Sequence, residues 1–472
     1  MRRIVIDPVT RIEGHAKITI QLDDAGDVMS TQFHVTQVRG FEKFVEGRPF
    51  YEMPGITARI CGICPVSHLL AASKACDAIM AVRIPPAGAL LRELIHCAQF
   101  VQSHALSFFH LSAPDLLLGM DSDPAARNVL GLAAQQPELA RAGIVLRQYG
   151  QRIIEAVAGE RVHPSGIVPG GVSKRLENTV REEILRGLPA ATSVCVNTLE
   201  LFKKALDDFE DEIENFGSAP TMYAGLTGPD GAFRIYDGTI RFRNADGSIA
   251  ANGVAAERYA DYIGEVSTAD SYLKSPYYKP LGSKAGVYRV GPLARLNVAD
   301  GFGTPLADVE LEQYRKRYGP IVTGAFHYHY ARLLELLYSL ERIGELLAMP
   351  EILDSRTRAR AEVNALEGVG IAEAPRGLLI HHYKVNEQGG MVWANMIVAT
   401  GHNNLAIGRA VEQTAKRYIR GNAIQEGMLN RVSAVVRAYD PCLSCSTHAG
   451  GLLPLRIQLF GPRGEVLDEV AT

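Results

Sequence analysis

The sequence predicts a mainly α-helical protein with small β elements, an α+β fold whose core is a bundle of long helices. Apolar residues recur at steps of three and four through two long segments, 194–216 and 320–348, which is the period of one face of a helix. Short stretches at the start, middle and end of the chain alternate apolar and polar residues, as strands do. Together these patterns predict helices as the framework and strands as smaller additions.

The predicted strands lie in three places. An N-terminal hairpin is expected from 17–22 and 28–35, because a Gly-containing turn separates two alternating runs. A mid-chain β-meander is expected at about 225–256, where Pro-Asp-Gly and Asp-Gly turns separate short runs. The segment 453–470 alternates around Pro-Arg-Gly and predicts a C-terminal pair of strands.

The predicted helices fill the intervening chain. One helical pattern begins at Pro54, and another begins at Pro85 and runs to Leu111. The apolar residues of 194–216 and of 320–348 each lie on one side of their helix, so both segments are expected in the core of the bundle.

Composition excludes several classes of protein. The 472 residues include 49 Lys and Arg against 52 Asp and Glu, a net charge of −3, so no basic surface for nucleic acid is expected. Seven cysteines are too few, and odd in number, for a disulfide framework. No apolar run approaches the roughly 18 residues of a membrane-spanning helix, and the first residues do not form a signal peptide. We therefore expect a cytoplasmic protein without a membrane span.

Four of the seven cysteines form two C-x-x-C pairs, Cys61 with Cys64 and Cys442 with Cys445. Such a pair directs two sulfur atoms at one point, which suits a metal ion or a redox disulfide. Structural zinc sites keep their pairs about 12–20 residues apart, whereas 377 residues lie between Cys64 and Cys442. A large domain would have to bring these pairs together, as in a catalytic centre. Spacing alone leaves two alternatives open, namely two unrelated pairs or a zinc site of unusual topology.

Other residues with metal or acid–base chemistry lie near the two pairs or elsewhere in the chain. His68 follows Cys64 by one helical turn, so its imidazole is expected to hydrogen-bond a ligand sulfur or a neighbouring ligand. His448 is three residues past Cys445, close enough to bind a second metal ion. The remaining cysteines lie in apolar helical contexts and are expected to be buried core thiols: Cys76, Cys97 and Cys195. Further acid–base and electrostatic candidates are Glu13, Glu42, Asp440 and Arg376.

These motifs are similar to those of the large, catalytic subunit of nickel–iron hydrogenases, and the resemblance runs from end to end. The length and the block 59–68 most resemble the large subunit of the cytoplasmic, NAD-reducing soluble hydrogenases, although coenzyme-F420-reducing and NADP-linked relatives have similar motifs. The matching segments are Asp-Pro-Val-Thr-Arg-Ile-Glu-Gly-His at 7–15, Arg-Gly-Phe-Glu at 39–42, the first C-x-x-C block at 59–68, His-Pro-Ser-Gly-Ile-Val-Pro-Gly-Gly at 163–171, Glu-Ala-Pro-Arg-Gly at 373–377 and Asp-Pro-Cys-Leu-Ser-Cys-Ser-Thr-His at 440–448.

The resemblance implies a Ni–Fe centre whose nickel is held by Cys61, Cys64, Cys442 and Cys445. Two of these thiolates, those of Cys64 and Cys445, would bridge to an iron that carries carbon monoxide and cyanide. Soft thiolates suit nickel in a redox role. They suit zinc equally well, so the identity of the metal rests on the resemblance.

The resemblance also implies roles for residues around the metals. Heterolytic cleavage of H2 releases a proton, and Glu13 matches the glutamate that takes it from a terminal thiolate, here that of Cys442. Arg376 matches the arginine that overhangs the open coordination position of the centre. Asp440 and Asp115 would hold that arginine in place.

A second metal site and a propeptide are implied near residue 448. Glu42 and His448 match ligands of a second divalent ion, usually Mg²⁺, for which a carboxylate is well suited. In this family an endopeptidase removes a C-terminal extension after nickel insertion. We therefore expect 1–448 to be the catalytic domain, with the meander as an insertion, and 449–472 to be a maturation propeptide.

Partners are implied by the cysteine count. With four cysteines at the metals and three scattered, the chain cannot hold a Cys₄ iron–sulfur cluster of its own. An iron–sulfur small subunit is therefore an expected obligate partner. The resemblance further implies diaphorase subunits that bind FMN and NAD, and nickel-insertion proteins. Two other classes of protein compete with this interpretation. One is a zinc-stabilised structural subunit, and the other is a related subunit of quinone-reducing proton pumps, which lacks the cysteine pairs.

Overall fold

The computed structural model describes residues 2–421 and 424–448, and the backbone of two strands at 456–460 and 466–471. The predicted fold class is confirmed, because long helices form the framework and several small sheets are attached to it. None of the helices in these described ranges is both long and apolar enough to cross a bilayer.

The helices are numbered in chain order. A π-helical segment, Leu106–Ser112, connects the fourth to the fifth. In chain order, the α-helices are α1 Phe41–Phe44, α2 Met53–Thr57, α3 Pro65–Met80, α4 Pro86–Ala105, α5 Ala113–Leu118, α6 Val129–Gln135, α7 Pro137–Ala158, α8 Asn178–Ala205, α9 Glu210–Asn215, α10 Tyr259–Tyr262, α11 Gly282–Ala285, α12 Pro292–Val298, α13 Pro305–Tyr318, α14 His327–Ala348, α15 Ala399–Tyr418 and α16 Glu426–Tyr439.

The core of the bundle is α14, which packs against α4 and α8, while α4 also packs against α7. Its apolar residues are buried, as their period predicts, and they share the core with the aromatic side chain of Phe202 on α8. The helix is also buried on its polar side, where Arg332 and Glu335 are almost fully enclosed. Buried charges in a bundle core require ion-pair partners, and those of Glu335 lie near the candidate site.

Two predicted helix boundaries differ from the structure. The predicted helix 194–216 is the end of α8, then a 3₁₀ turn at Leu206–Phe209, then α9. The apolar face continues through the turn, so the periodicity did not reveal the interruption. The predicted helix 320–348 begins only at His327, because the preceding segment passes closely over α9, where a Cβ on Gly324 would lie 2.6 Å from the Ile213 carbonyl oxygen.

The predicted hairpin, meander and C-terminal pair are all present among the strands, which are likewise numbered in chain order. They are β1 Arg2–Ile6, β2 Ala16–Leu22, β3 Val28–Val35, β4 Ile167–Val168, β5 Gly171–Val172, β6 Met222–Thr227, β7 Thr239–Arg243, β8 Ile249–Val254, β9 Ile263–Thr268, β10 Ser271–Tyr278, β11 Tyr288–Arg289, β12 Glu367–Ala374, β13 Gly377–Val385, β14 Met391–Ile397, β15 Arg456–Phe460 and β16 Val466–Ala471.

The sheets combine local and distant strands. The hairpin of β2 and β3 is antiparallel, with Ile18 opposite Phe33, and it is extended by β1 on one side and by β10 and β9 on the other. The meander β6-β7-β8 is joined by β11. The C-terminal strands β15 and β16 pair antiparallel, whereas the predicted turn between them, at 462–464, lies outside the described residues.

A third sheet, β12-β13-β14, positions the site and was not predicted. Helix α3 lies directly on β12, because β12 carries glycines at the contact: a Cβ on Gly368 or Gly370 would overlap the carbonyl oxygens of Ala75 and Ala71. The N-terminus of α3 and the tip of the β12–β13 hairpin therefore face the same interior point.

Candidate metal centre

The four paired cysteines meet at one buried point. The sulfur atoms of Cys61, Cys64, Cys442 and Cys445 all lie within 4.8 Å of one another, and those of Cys61 and Cys442 are 3.5 Å apart. Each of the four residues is at most 4% exposed. The alternative of two unrelated pairs is thereby excluded.

The first pair sits where the predicted helix from Pro54 is interrupted. Helix α2 and a 3₁₀ turn end before Cys61, which is extended, and α3 begins directly after Cys64. The backbone N–H groups of Ile63 and Cys64 donate to the Cys61 sulfur at 3.2 and 3.1 Å. The positive end of the α3 dipole lies beside Cys64 and favours a thiolate at that position.

The second pair follows the end of α16. Asp440 adopts a left-handed backbone conformation with φ of 53°, which ends the helix and turns the chain toward the first pair. The Cys442 N–H then donates to Thr400 Oγ1 at 2.9 Å, at the start of α15. Helix termini of α3, α15 and α16 therefore converge on the cluster.

The thiols of Cys64, Cys442 and Cys445 differ in acidity. Hydrogen bonds with Cys442, Cys445 and Cys61 lower the pKa of the Cys64 thiol well below its usual value, whereas burial raises the pKa of the Cys442 and Cys445 thiols. The Cys64 sulfur thus deprotonates readily, and a bound cation would be needed to draw protons from Cys442 and Cys445. A closed set of four buried sulfur ligands fits the soft-donor requirement of a nickel–iron centre.

The other three cysteines behave differently. Cys76, Cys97 and Cys195 are fully buried, and burial raises the pKa of each thiol above its usual value. They are protonated core thiols, as predicted.

Glu13 lies against the second cysteine pair. Its backbone bridges to Cys442, and its carbonyl accepts the Leu443 N–H at 3.2 Å. Its carboxylate accepts the Ser444 N–H at 3.2 Å and also the Ser444 hydroxyl. The close approach depends on Gly14, where φ is +84° and a Cβ would lie 2.8 Å from the Leu443 Cβ. Glu13 is half-buried, so its carboxylate lies between the cluster loop and the surface.

Arg376 occupies the tip of the β12–β13 hairpin. Ala374 pairs with Gly377, so Arg376 is in a two-residue turn. Its guanidinium donates to Asp440 at 3.1 Å and to Ser103 Oγ at 3.4 Å. Burial alone would lower the pKa of Arg376, but Asp440 and the cluster sulfurs raise it well above its usual value. The arginine is therefore a fixed positive charge beside the cysteines.

Asp115 is not where the sequence analysis placed it. Among the described residues its ion pairs are with Arg11 at 2.5 Å, Arg437 at 2.9 Å and Arg127 at 3.5 Å, and Arg376 is not among them. These three guanidinium groups and the side-chain amide of Asn430, which donates at 3.2 Å, surround the two carboxylate oxygens of Asp115. The expectation that Asp115 holds Arg376 is thus corrected, and the contact belongs to Asp440.

His448 and Glu42 are neighbours, as the predicted second metal site requires. The Glu42 N–H donates to the His448 carbonyl at 3.3 Å. The Glu42 carboxylate accepts from Lys274 Nζ and from the Met396 N–H, both at 2.8 Å. Burial lowers the pKa of His448 to about 3, so its ring is neutral, as a metal ligand must be. The Lys274 charge is a feature that the sequence analysis did not identify.

His68 lies one turn into α3 and is fully buried. Its Nδ1 is 3.2 Å from His381 Nε2, while its Nε2 is buried without a hydrogen-bond partner in the described part of the chain.

A buried ion cluster supports the hairpin that carries Arg376, and sequence reasoning missed most of it. Arg295 donates to Glu335 at 2.6 and 2.7 Å and to Glu373 at 2.7 Å. It also donates to the carbonyls of Ala374 and Pro375, both at 2.9 Å. Glu373, Ala374 and Pro375 carried a signal as part of the motif at 373–377, whereas Arg295 and Glu335 lie far away in sequence.

Comparisons with known proteins agree with this geometry. A family model described as nickel-dependent hydrogenase matches residues 39–134 and 239–448, and one described as HoxL-like matches residues 3–38. The beta subunit of the NAD-reducing hydrogenase HoxS from Cupriavidus necator is 40% identical, over all of this chain and 99% of its own length.

Two further relatives are similarly close. One subunit of an F420-non-reducing hydrogenase from Methanocaldococcus jannaschii is 43% identical over 88% of this chain and 99% of its own length. The crystal structure of an NAD⁺-reducing [NiFe]-hydrogenase in the H2-reduced state superposes with a TM-score of 0.92 at 44% identity. The match covers 95% of this chain and all of the other.

Proposed function

The chain belongs to the nickel-dependent hydrogenase family as a catalytic large subunit, and we propose that partner subunits carry the electrons it takes from H2 to NAD⁺. The observation that carries the assignment is the closure of two cysteine pairs, 377 residues apart, into one buried cluster. The zinc-stabilised structural subunit is set aside, because family membership is shown over most of the chain. The full-length similarity to an NAD-reducing enzyme supports NAD⁺ as acceptor.

Cys61, Cys64, Cys442 and Cys445 hold the metals in this proposal, with Cys64 and Cys445 as the bridging ligands. When bound, a nickel–iron centre with carbon monoxide and cyanide on the iron supplies the position at which H2 is split heterolytically. The chain itself excludes water from this position, since all four sulfurs are buried, and the backbone N–H groups of Ile63 and Cys64 donate to the Cys61 sulfur.

Glu13 is the proposed acceptor of the proton that H2 cleavage delivers to the Cys442 sulfur. Its backbone is tied to Cys442 and its carboxylate to Ser444, so the base is held beside the terminal ligand. Because Glu13 is half-buried, it can pass the proton on toward the surface.

Arg376 is proposed to overhang the metals and orient H2, and Asp440 fixes its guanidinium. Asp115 takes a positioning role in place of the predicted one. It ties Arg11, two residues before Glu13, to Arg437, three residues before Asp440, and so braces both functional segments against each other.

A second divalent ion, Mg²⁺, is proposed between Glu42 and His448. The adjacency of the two residues and the neutral His448 ring support this site. Lys274 already neutralises the Glu42 carboxylate, so its ammonium group would have to move or share that carboxylate with the ion.

Electrons leave through partners in this proposal. The cluster uses the convergent cysteines, and the remaining three are separate core thiols, so an iron–sulfur small subunit is proposed as the immediate acceptor. Diaphorase subunits with FMN and NAD would follow, and nickel-insertion proteins would load the site. A cytoplasmic location is proposed because that is where NAD⁺ is reduced.

The test of the acceptor uses the purified complex under H2. We expect nickel and iron near one each per large subunit and H2-dependent reduction of NAD⁺. NADP⁺ and coenzyme F420 serve as the alternative acceptors. Reduction of either in preference to NAD⁺ would overturn the NAD⁺ proposal, and zinc in place of nickel and iron would contradict the proposed centre.

Residues 449–472 are proposed to be a propeptide that is removed during maturation. The family model ends at residue 448, and 95% of this chain, about 448 residues, covers all of the solved relative. We predict that metal-loaded large subunit has an intact mass lower than the full chain by these residues, measured by mass spectrometry. Metal-free subunit from cells grown without nickel is the control and should keep them. Full-length mass in the metal-loaded enzyme would refute the propeptide.

A further inference from the structure

The turn that carries Arg376 is seated on the chain at the start of helix α12. Pro375 and Arg376 form this turn, between β12 and β13. A Cβ on Gly291, where φ is +90°, would lie 2.7 Å from the Arg376 carbonyl oxygen, so glycine is needed for the two segments to approach this closely. Helix α12 begins at the next residue, Pro292, and carries Arg295 one turn later. The turn therefore packs against one helix end.

Arg295 uses every N–H of its guanidinium at this contact. Nη1 donates to the Ala374 carbonyl and Nη2 to the Pro375 carbonyl, both at 2.9 Å. The remaining N–H groups donate to the carboxylates of Glu335, at 2.6 and 2.7 Å, and of Glu373, at 2.7 Å. Arg295 is fully buried. Because a guanidinium is planar and its donors are fixed relative to one another, the carboxylates set the plane in which both carbonyls are held.

The carbonyl in the turn needs this donor most. The last pair of the β12–β13 ladder is Ala374 with Gly377, so the Pro375 carbonyl lies outside the ladder. A buried carbonyl requires a hydrogen-bond donor, and Arg295 supplies it. The peptide that joins Pro375 to Arg376 is thereby fixed in orientation. Arg295 thus determines the point and the direction from which the Arg376 side chain starts.

Stability alone does not account for a charge cluster in this place. Apolar residues of similar volume often stabilise a core as well as buried ion pairs do. An apolar side chain at residue 295 could not, however, donate to the two carbonyls. Glu335 belongs to α14, the central helix of the bundle, so the guanidinium of Arg295 ties the turn to the most enclosed element of the fold.

We propose that Arg295 is a positioning residue that holds the Pro375–Arg376 turn in one place and so presents the Arg376 guanidinium to the metal centre. The inference rests on the proposed role of Arg376 in orienting H2. Asp440 and Ser103 hold the far end of the Arg376 side chain, and Arg295 holds the backbone at its near end. A long, flexible side chain that is fixed at both ends stays in one conformation.

Arg295→Lys in the purified complex is the main test. Lysine keeps the positive charge beside the two carboxylates, but it is a point charge without the planar fork, so the carbonyls lose their shared donor. We expect wild-type nickel and iron content, and H2 oxidation per nickel lower by about 100-fold, the effect of displacing a positioned group by about 1 Å. Hydrogen–deuterium exchange at 373–379 should become faster, also in metal-free large subunit from cells grown without nickel.

Arg92→Lys is the matched control. Arg92 is also fully buried and donates to one carboxylate, that of Asp77, at 2.5 and 3.2 Å. It further donates to the carbonyls of Val168 and Gly171, at 2.7 and 3.0 Å, on either side of the β4–β5 turn. The variant removes the same fork from the same kind of hairpin, so it should lower the thermal unfolding midpoint about as much as the main variant does. Exchange in the β12–β13 hairpin and activity per nickel should stay as in wild type.

A double-mutant cycle with Arg376→Lys separates positioning from a general structural role. If Arg295 acts through Arg376, Arg295→Lys should lower the rate little further once residue 376 is already substituted. Equal fold losses in both backgrounds would overturn the proposal, as would a wild-type rate in metal-loaded Arg295→Lys enzyme. A wild-type rate in the Arg376→Lys single variant would instead contradict the proposed role of Arg376 itself.

Glu335→Gln covers the case in which Arg295→Lys does not fold. This variant keeps Arg295 but replaces one of the two oxygens that the guanidinium contacts with an amide NH2, which cannot accept. The guanidinium must then leave its plane, so we expect faster exchange at 373–379 and a lower rate, with smaller changes than for Arg295→Lys. Wild-type exchange and rate would overturn the proposal. Absence of nickel and iron from the wild-type complex would contradict the proposed function, whereas exchange in the metal-free subunit does not depend on it.

Discussion

Replacing Cys64 with serine should abolish H2-dependent dye reduction and lower nickel and iron below one per subunit. The four sulfurs form a closed set within 4.8 Å, and hydrogen bonds with Cys442, Cys445 and Cys61 lower the pKa of the Cys64 thiol well below its usual value. A serine hydroxyl stays protonated and is a hard donor, so it does not replace a bridging thiolate. Mutation of a residue that only hydrogen-bonds a metal ligand already lowers activity by about 10- to 100-fold. Loss of the ligand itself should therefore lower H2 oxidation by more than 100-fold. Metal analysis and a dye assay under H2 measure both effects.

Cys76→Ser is the control for this substitution. Cys76 is also buried and lies on α3, the helix that begins directly after Cys64. Its thiol donates to the Phe50 carbonyl at 3.2 Å, a contact that a hydroxyl can also make. We expect normal metal content and activity per nickel. A Cys64→Ser complex that still oxidised H2 at the wild-type rate would contradict the ligand assignment, and equal losses in both variants would show a general folding defect.

The local sequence pattern predicted those helices and strands that are determined by residues close together in the chain. The helical period located the segments around α8 and α14, and turn residues located the hairpin and the meander. The cysteine pairs could be found because each is a short motif. Their convergence needed the resemblance, since no periodicity links residue 64 to residue 442.

The remaining contacts depend on residues that only the folded chain brings together. Asp115 forms ion pairs with three arginines that come from other segments of the chain, and no spacing rule indicates these pairs. Lys274 beside Glu42 and Arg295 beneath the Arg376 hairpin are of the same kind. The parallel pairing of β3 with β10 joins residue 35 to residue 271. In each case burial, rather than local sequence, creates the need for a partner.

Glu13→Gln should stop proton removal while leaving the metal centre intact. Glutamine has nearly the same shape, and its carbonyl oxygen can still accept the Ser444 N–H, now at 3.2 Å from the carboxylate. It cannot act as a base at neutral pH. General acid–base groups contribute about 10²–10⁴-fold, so H2 oxidation per nickel should fall by that factor. Nickel and iron content and the infrared spectrum of the resting enzyme should stay as in wild type.

Glu341→Gln is the matched control for the loss of a carboxylate. Glu341 is also half-buried and accepts backbone N–H groups, from Leu306 at 2.8 Å and from Ala307 at 3.0 Å. It lies on α14, however, where its carboxylate caps the start of α13, and it has no contact with the cysteine loops among the described residues. Its substitution should leave the rate unchanged. A Glu13→Gln complex with full metal content and the wild-type rate would remove Glu13 from the proton path. The proton would then have to leave from another group beside Cys442, and the contact between Glu13 and Ser444 would be structural only.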